Sequence, residues 1–388
     1  MEISFSSFFA CSISLTLLIG ILYLLLFHNH ILSRFGIVCI YVFALFIILR
    51  GYLPLDFHSI YLTKSFYSDG LLLELQYMFN TTLFSIKTFA ITPKVIFIII
   101  WISGTFFYLF KRTTGYLFYR NYLNHIKSTV SVEIQTAFDE TYYSIFPHGK
   151  NRCRIIISDN LGTPAIFGIQ NPIIILPDIY AKEDLKYVFK HELLHLKHKD
   201  FIIKFMADIV TALYWWNPLL LHFLFPLLNQ TQELFVDYSL TQNLSQQDRT
   251  EYLECISKSL KHLNHRQKNR MNVYALADGH SRSRMIQRLN CIIHGNVKGG
   301  SIFSLSFIAV LFILSFSFVL EPVYFPEYDE NGDKVYYYDE NNSYYIKNGH
   351  EFDLYLGGEF VYTTSSIVDE FKNFPIYESE DNIKQHEK

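Results

Sequence analysis

Four stretches of this chain, at residues 8–27, about 31–49, about 88–110 and 301–320, approach the roughly 20 apolar residues that a helix needs to cross a hydrocarbon core. The first and last are nearly free of charge. The second carries Arg34 near one end and the third carries Lys94, both placed where a long side chain can reach the interface. Half of the 388 residues are hydrophobic but 18% are charged, so spans are expected beside a water-facing domain. The opening "MEIS" lacks the positive charge of a cleaved leader, and the apolar run after it is too long for one, so residues 8–27 are expected to remain as a span.

Lys and Arg are enriched on cytoplasmic flanks and so set the orientation. Arg34 lies between the first two stretches, Lys111, Arg112, Arg120 and Lys127 follow the third, and Arg282, Arg284, Arg288 and Lys298 precede the fourth. With four spans, all three groups fall inside the cell. Arg282, Arg284 and Arg288 are then expected to mark the inner membrane surface by attraction to lipid phosphate. The acidic end of the chain fits the opposite side: residues 321–388 hold 16 acidic and five basic side chains, a net −11, while the preceding residues carry a net +8. The expected layout is three spans in 1–110 with an outer loop at 51–87, a cytoplasmic domain at 111–300, a fourth span at 301–320 and a small extracytoplasmic β unit at 321–388. Residues 201–228 are apolar too. Lys204 and Asp208 would each cost about 2.5–3.5 kcal/mol at a bilayer centre and Pro218 interrupts the run, so two buried or membrane-surface helices are expected there rather than a spanning hairpin.

Cys11, Cys39, Cys153, Cys255 and Cys291 include no CxxC pair, which points to neither a disulfide framework nor a zinc-thiolate site. Phosphate-binding loops of the GxGxxG or GxxxxGK[ST] kind are absent, and no direct nucleic-acid partner is expected.

Within the cytoplasmic region, "RCRIIIS", "PAIFGI" and "PIIILP" are short and Ile-rich, separated by turn residues such as Asn160, Gly162, Asn171 and Pro172, and read as a small sheet. A helix is expected next, with Glu183 and Asp184 complementing its positive end and the pattern running from Leu185 to Lys199. It carries "HELLHLKHKD". His191 and His195 stand four residues apart on one face, so both imidazoles can reach one ion. Glu192 lies about 100° round from His191, beside the ion, where it can take a proton from water. Bound Zn²⁺ lowers the pKa of water to about 7, the chemistry of peptide-bond hydrolysis. His198 shares the face of His191 but lies about 10 Å along the axis, too far for zinc–nitrogen bonds near 2 Å, so it is expected in a supporting or surface position.

A catalytic zinc site needs a third protein ligand. Glu233 sits among apolar residues in "NQTQELFVDYSL", where a lone carboxylate is costly and a metal would remove the cost; the alternative is a solvated edge with Glu233 paired to a lysine. Asp237, four residues on, suits orientation of a ligand histidine through its other ring nitrogen.

Taken together, "TPAIFGIQNPIIILP", "HELLHLKHKD", "WWNP" and "ELFVD" resemble the antirepressor membrane metallopeptidases of the BlaR/MecR type, closely over residues 157–237 and in the order of spans throughout. The resemblance implies His191 and His195 as zinc ligands, Glu192 as general base, Glu233 as third ligand in a gluzincin arrangement, and Asp237 with Asp200 at the accompanying acidic positions. It also implies that Ala165, Ile166, Phe167 and Gly168 form an edge strand to which an extended substrate is added, although the same segment reads equally as core. The implied fold is a membrane protein of about four helices with an α+β gluzincin-like domain, acting on a cytoplasmic repressor, on itself, or on both, in response to an outer signal. A homodimer is compatible with this reading.

The resemblance stops at residue 321. The β-lactam sensors carry a penicillin-binding domain after their last span, whereas residues 321–388 contain neither SxxK nor KTG, so direct antibiotic sensing is not expected. That segment holds ten of the 28 tyrosines and reads as a meander with Asn-Gly and Gly-Gly turns; "DENGD" at 329–333 reads as a turn rather than a calcium loop. Two other functions fit the residues: a quality-control protease for misfolded membrane proteins, and a non-catalytic receptor stabilised by zinc.

Overall fold

The computed structural model describes residues 5–55, 64–65, 78–79, 81–86, 89–126, 128–149, 153–158, 163–269, 278–294, 300–319, 343–349, 351–356, 359–367, 371–372 and 374–377. Two compact units emerge, residues 1–66 with 77–321, and residues 67–76 with 322–388. The first begins with helices α1 (Phe5–Phe27), α2 (Asn29–Phe35) and α3 (Ile37–Tyr52), then strands β1 (Lys64–Ser65), β2 (Phe84–Ile86) and β3 (Phe89–Ile91). Next come α4 (Pro93–His125), α5 (Val132–Ile145), strands β4 (Arg154–Ile157), β5 (Ala165–Phe167) and β6 (Ile173–Leu176), and helices α6 (Lys182–Lys197), α7 (Asp200–Leu213), α8 (Pro218–Thr241), α9 (Gln246–Asn269), α10 (Asp278–His294) and α11 (Ile302–Leu314), before β7 (Phe318–Val319).

The apolar stretches all form helices, with altered limits. In α1 the hydroxyls of Ser14 and Thr16 donate to carbonyls one turn back, at 2.9 Å each, so these two side chains need no water. The second stretch is broken at Gly36, whose φ of 86° is a conformation open mainly to glycine, and continues as α3 of only 16 residues. The third is longer than expected: Thr92 caps α4, Pro93 occupies its first turn, and the helix continues to His125 for 33 residues. The fourth stops at Leu314, where the chain turns and pairs β7 in parallel with β1. Among the described residues, α1 and α4 are long and apolar enough to cross a membrane, while α3 and α11 are shorter apolar helices.

Residues 201–228 fall in two helices, α7 and the first half of α8, separated at Tyr214–Asn217 and packed with α1 and α3. Asn217 caps α8, accepting from the backbone N–H groups of Leu219 and Leu220 at 3.0 and 3.2 Å. Asp208 on α7 does not stand alone: Arg112 of α4 contacts its Oδ1 through Nε at 2.7 Å and Nη2 at 2.6 Å.

The three-stranded sheet has the order β4-β6-β5, with β4 parallel and β5 antiparallel to β6. All four residues of β6 are buried, which explains its unbroken Ile-Ile-Ile-Leu run. β5 is half-buried at the edge. Its Phe167 is held between rings of α4 and α7, with Tyr116, Tyr119 and Phe201 at 5.1, 5.0 and 5.6 Å between centroids.

Among the described residues, α8 contributes to two of the apolar clusters of this unit. Leu220, Leu224, Leu227, Leu228 and Leu234 join the apolar cluster of α1 and α3, whereas Val236 and Leu240 join the cluster built on Phe138, Ile174, Phe189 and Leu193. Glu233 lies at the junction.

The second unit is a sheet of β8 (Tyr344–Asn348), β9 (Glu351–Leu356), β10 (Glu359–Thr364) and β11 (Ile376–Tyr377), in the order β10-β9-β8-β11. Because β11 pairs in parallel with β8, it is a mixed sheet rather than a simple meander. Its core is Tyr345, Leu354, Leu356 and Phe374. Asn160, Gly162, the 329–333 segment, the Gly357-Gly358 turn and most of the 51–87 loop lie outside the described residues.

Candidate metal centre

α6 starts with acidic Glu183 and Asp184; the Asp184 carboxylate accepts from the Ala181 backbone N–H at 3.3 Å and pairs with Lys258 at 2.7 Å. Leu185, Val188, Phe189 and Leu193 bury one side of the helix, turning His191 and His195 toward α8. Lys199 adopts left-handed backbone, φ 60°, ending α6 so abruptly that Asp200 at the start of α7 folds back beneath His195.

His191, His195 and Glu233 come together. Their Nε2 atoms are 3.3 Å apart, and Glu233 Oε2 and Oε1 lie 3.5 Å from His191 Nε2 and 3.6 Å from His195 Nε2. All three donor atoms fall within 4.8 Å of one another. A tetrahedral ion with bonds of about 2.0–2.2 Å requires its donors to stand about 3.3–3.6 Å apart; the two imidazoles match this, and Glu233 offers each ring one oxygen at that distance, so the group suits a zinc-sized cation. His198 is outside the group: it caps α6 and its ring rests on Phe235 at 4.6 Å.

The ring nitrogens turned away from the group are also engaged. His195 Nδ1 meets Asp200 Oδ2 at 2.6 Å, and His191 Nδ1 meets the Tyr252 hydroxyl at 2.9 Å. Tyr252 donates to Asp237 Oδ1 at 2.6 Å, so Asp237 reaches His191 chiefly through a phenol; its own oxygen stands 3.5 Å from the ring. Hydrogen bonds at Nδ1 leave Nε2 of each ring available to an ion. Glu192 is buried beside this group, and its carboxylate is not one of the three close donors.

Arg288 requires a correction. Instead of lying at a lipid surface, it enters the site from α10: Nη1 is 2.7 Å from Glu233 Oε2, Nε is 2.7 Å from Asp237 Oδ2, and Nη2 is 3.0 Å from Asp237 Oδ1. Glu233 is thus partnered by an arginine, not the lysine of the alternative reading. Burial alone would raise the Glu233 carboxyl, but Arg288, with both histidines, holds it well below the usual carboxylate range. Nothing in the local sequence separates Arg288 from Arg282 and Arg284, and Tyr252 stands in an ordinary helical stretch.

In the metal-free chain, burial by itself lowers the pKa of His195, but the Asp200 hydrogen bond and the nearby Glu233, Glu192 and Asp200 charges leave it raised above the ordinary imidazole value. An entering cation must displace that proton. Metal affinity should therefore still be climbing with pH above the ordinary imidazole range, read by chelator competition; a profile flat above that range would show that His195 does not hold the proton.

A family model described as BlaR1 peptidase M56 matches residues 8–292, which include every residue of this site. The chain belongs to that family. Among curated relatives, regulatory protein BlaR1 of Bacillus licheniformis is 28% identical over 138 residues, 33% of this chain and 23% of that protein. The methicillin resistance mecR1 proteins of Staphylococcus aureus and Staphylococcus epidermidis are 29% identical over 75 residues, 18% of this chain and 13% of each of theirs. The aligned part therefore spans less than a quarter of these relatives' length. Membership bears out the resemblance read from "HELLHLKHKD" and its neighbouring motifs, and it implies a metal at the site.

Proposed function

We propose that this M56 chain is a multi-pass membrane zinc endopeptidase that cleaves a cytoplasmic regulator, itself, or both, in response to a signal outside the cell. The observation that carries this reading is the 3.3–3.6 Å spacing of two imidazole nitrogens and one carboxylate. Support for the regulatory role comes from the family and from a relative named as a regulatory protein.

His191, His195 and Glu233 would hold Zn²⁺. When bound, the ion supplies Lewis acidity, polarising a carbonyl and lowering the pKa of water toward about 7. Glu192 takes the proton from the attacking water and returns it to the leaving amine. Asp200 and the Tyr252–Asp237 pair fix the two rings, and Arg288 keeps Glu233 ionised. The substrate lies along β5, which among the described residues pairs with β6 on one side only, adding a strand beside Ala165, Ile166, Phe167 and Gly168. We place residues 111–300 inside the cell, with spans at 8–27, about 31–49, about 88–110, where α4 begins at Pro93, and 301–320.

The test is metal analysis of the purified full-length chain together with mass-spectrometric mapping of cut proteins in cells making the parent or His191→Ala. Zinc near one ion per parent chain, cut products that disappear in the variant, and cleavage in membranes stopped by a chelator and restored by Zn²⁺ are expected. Products that persist in His191→Ala would remove this reading.

A further inference from the structure

The carboxylate behind His195 is reached by a side chain from the apolar bundle. Asp200 is 2% exposed; its Oδ2 meets His195 Nδ1 at 2.6 Å, its Oδ1 accepts from the Tyr41 hydroxyl at 3.3 Å, and its backbone carbonyl accepts from Gln232 Nε2 at 3.3 Å. Tyr41 belongs to α3, within the stretch read as the second span, and is 7% exposed. Its ring lies flat on Phe235 at 4.2 Å and 12°, two residues beyond Glu233 on α8. One side chain thus braces both arms of the site.

We propose that Tyr41 is a positioning residue for the metal centre, holding Asp200 and, through it, the ring of His195. The proposal rests on the metal-binding reading above. A buried carboxylate with one fixed donor can still rotate about its last bond, whereas two donors on opposite oxygens stop it. Asp200 then presents Oδ2 to Nδ1, which keeps the proton there and the Nε2 lone pair directed at the ion. Removing the phenol hydroxyl leaves Oδ1 short of a donor and frees that rotation, while the stack on Phe235 survives. At its other end α3 is also anchored. Arg50, nine residues on and about 13 Å away along the helix, is fully buried and donates to the Ser315 carbonyl through Nε at 3.3 Å and Nη2 at 3.2 Å. The helix that holds Asp200 is therefore tied to the segment following α11.

The experiment titrates Co²⁺ into the full-length chain in detergent micelles for the parent, Tyr41→Phe, Asp200→Asn, the double variant and His191→Ala. It reads affinity, the visible Co²⁺ bands and the metal-free thermal midpoint. Mutations of partners behind metal ligands typically weaken binding about 10–100-fold; Tyr41→Phe, one bond further out, should lie near the tenfold end, with altered bands and a parent-like midpoint. In the Asp200→Asn background, Tyr41→Phe should add nothing, because the phenol acts only through that carboxylate. Parent-like affinity and bands in Tyr41→Phe, or losses that multiply in the double variant, would overturn the proposal. His191→Ala separates the two levels: if it alone abolishes binding while Tyr41→Phe does nothing, only the positioning role falls; if it binds like the parent, the metal centre falls too.

Discussion

Glu192→Gln should lower peptide-bond cleavage by about 10²–10⁴-fold, the usual contribution of a general base, while the chain keeps its full metal content. The substitution preserves shape and removes only the ability to accept a proton. Metal content should hold because the close donors belong to His191, His195 and Glu233, not Glu192. Glu192 is 6% exposed, so bulk buffer has poor access to the position it leaves and rescues the reaction weakly. Glu192→Asp, with the carboxylate drawn back by one methylene, should recover part of the rate. The measurement is cleavage at equal metal loading; parent-like turnover in Glu192→Gln would assign the base elsewhere, and parallel loss of metal and activity would make Glu192 structural.

Arg288→Met should weaken the metal-free chain more than the metal-loaded one. The change leaves Glu233 and the 2% exposed Asp237 without their common cation, and breaking a buried charge pair from one side costs about 3–5 kcal/mol. An ion bound at His191, His195 and Glu233 restores one positive centre beside Glu233, and binding the native state alone at a thousandfold excess over Kd contributes about 4 kcal/mol. Thermal midpoints with and without Zn²⁺ should show a drop in the variant that metal largely reverses. An equal drop in both states would mean that Arg288 serves packing, and no drop would mean that solvent reaches Asp237 after all.

Much of the site could be read locally. Two histidines four residues apart on a helix share a face whatever surrounds them, and the adjacent glutamate follows at a fixed angle. Glu233 was conspicuous as a carboxylate in an apolar helix, but its partner was not, because Arg288 is 55 residues further along and belongs to another helix. Tyr252 and Tyr41 left no trace: a half-polar ring in a helix looks alike whether it packs in a core or donates to a buried acid. The three basic residues of α10 looked equivalent for the same reason. Span limits shifted where a local event outweighed hydropathy, at Gly36 with its positive φ and after Leu314, where the backbone turned to pair with Lys64–Ser65.

Sequence alone determined the helical character of the apolar stretches, the strand–helix order of 153–199, and the pairing of His191 with His195, since each depends on backbone hydrogen bonding and periodicity within about two turns. Tertiary structure decided what surrounds the ion: Asp200 folded back by Lys199, Tyr252 interposed before Asp237, Arg288 drawn in from α10, and Tyr41 arriving from the bundle. These contacts join residues up to 159 positions apart. They form because a buried charge must find its partner wherever packing brings one, and packing is a property of the whole chain.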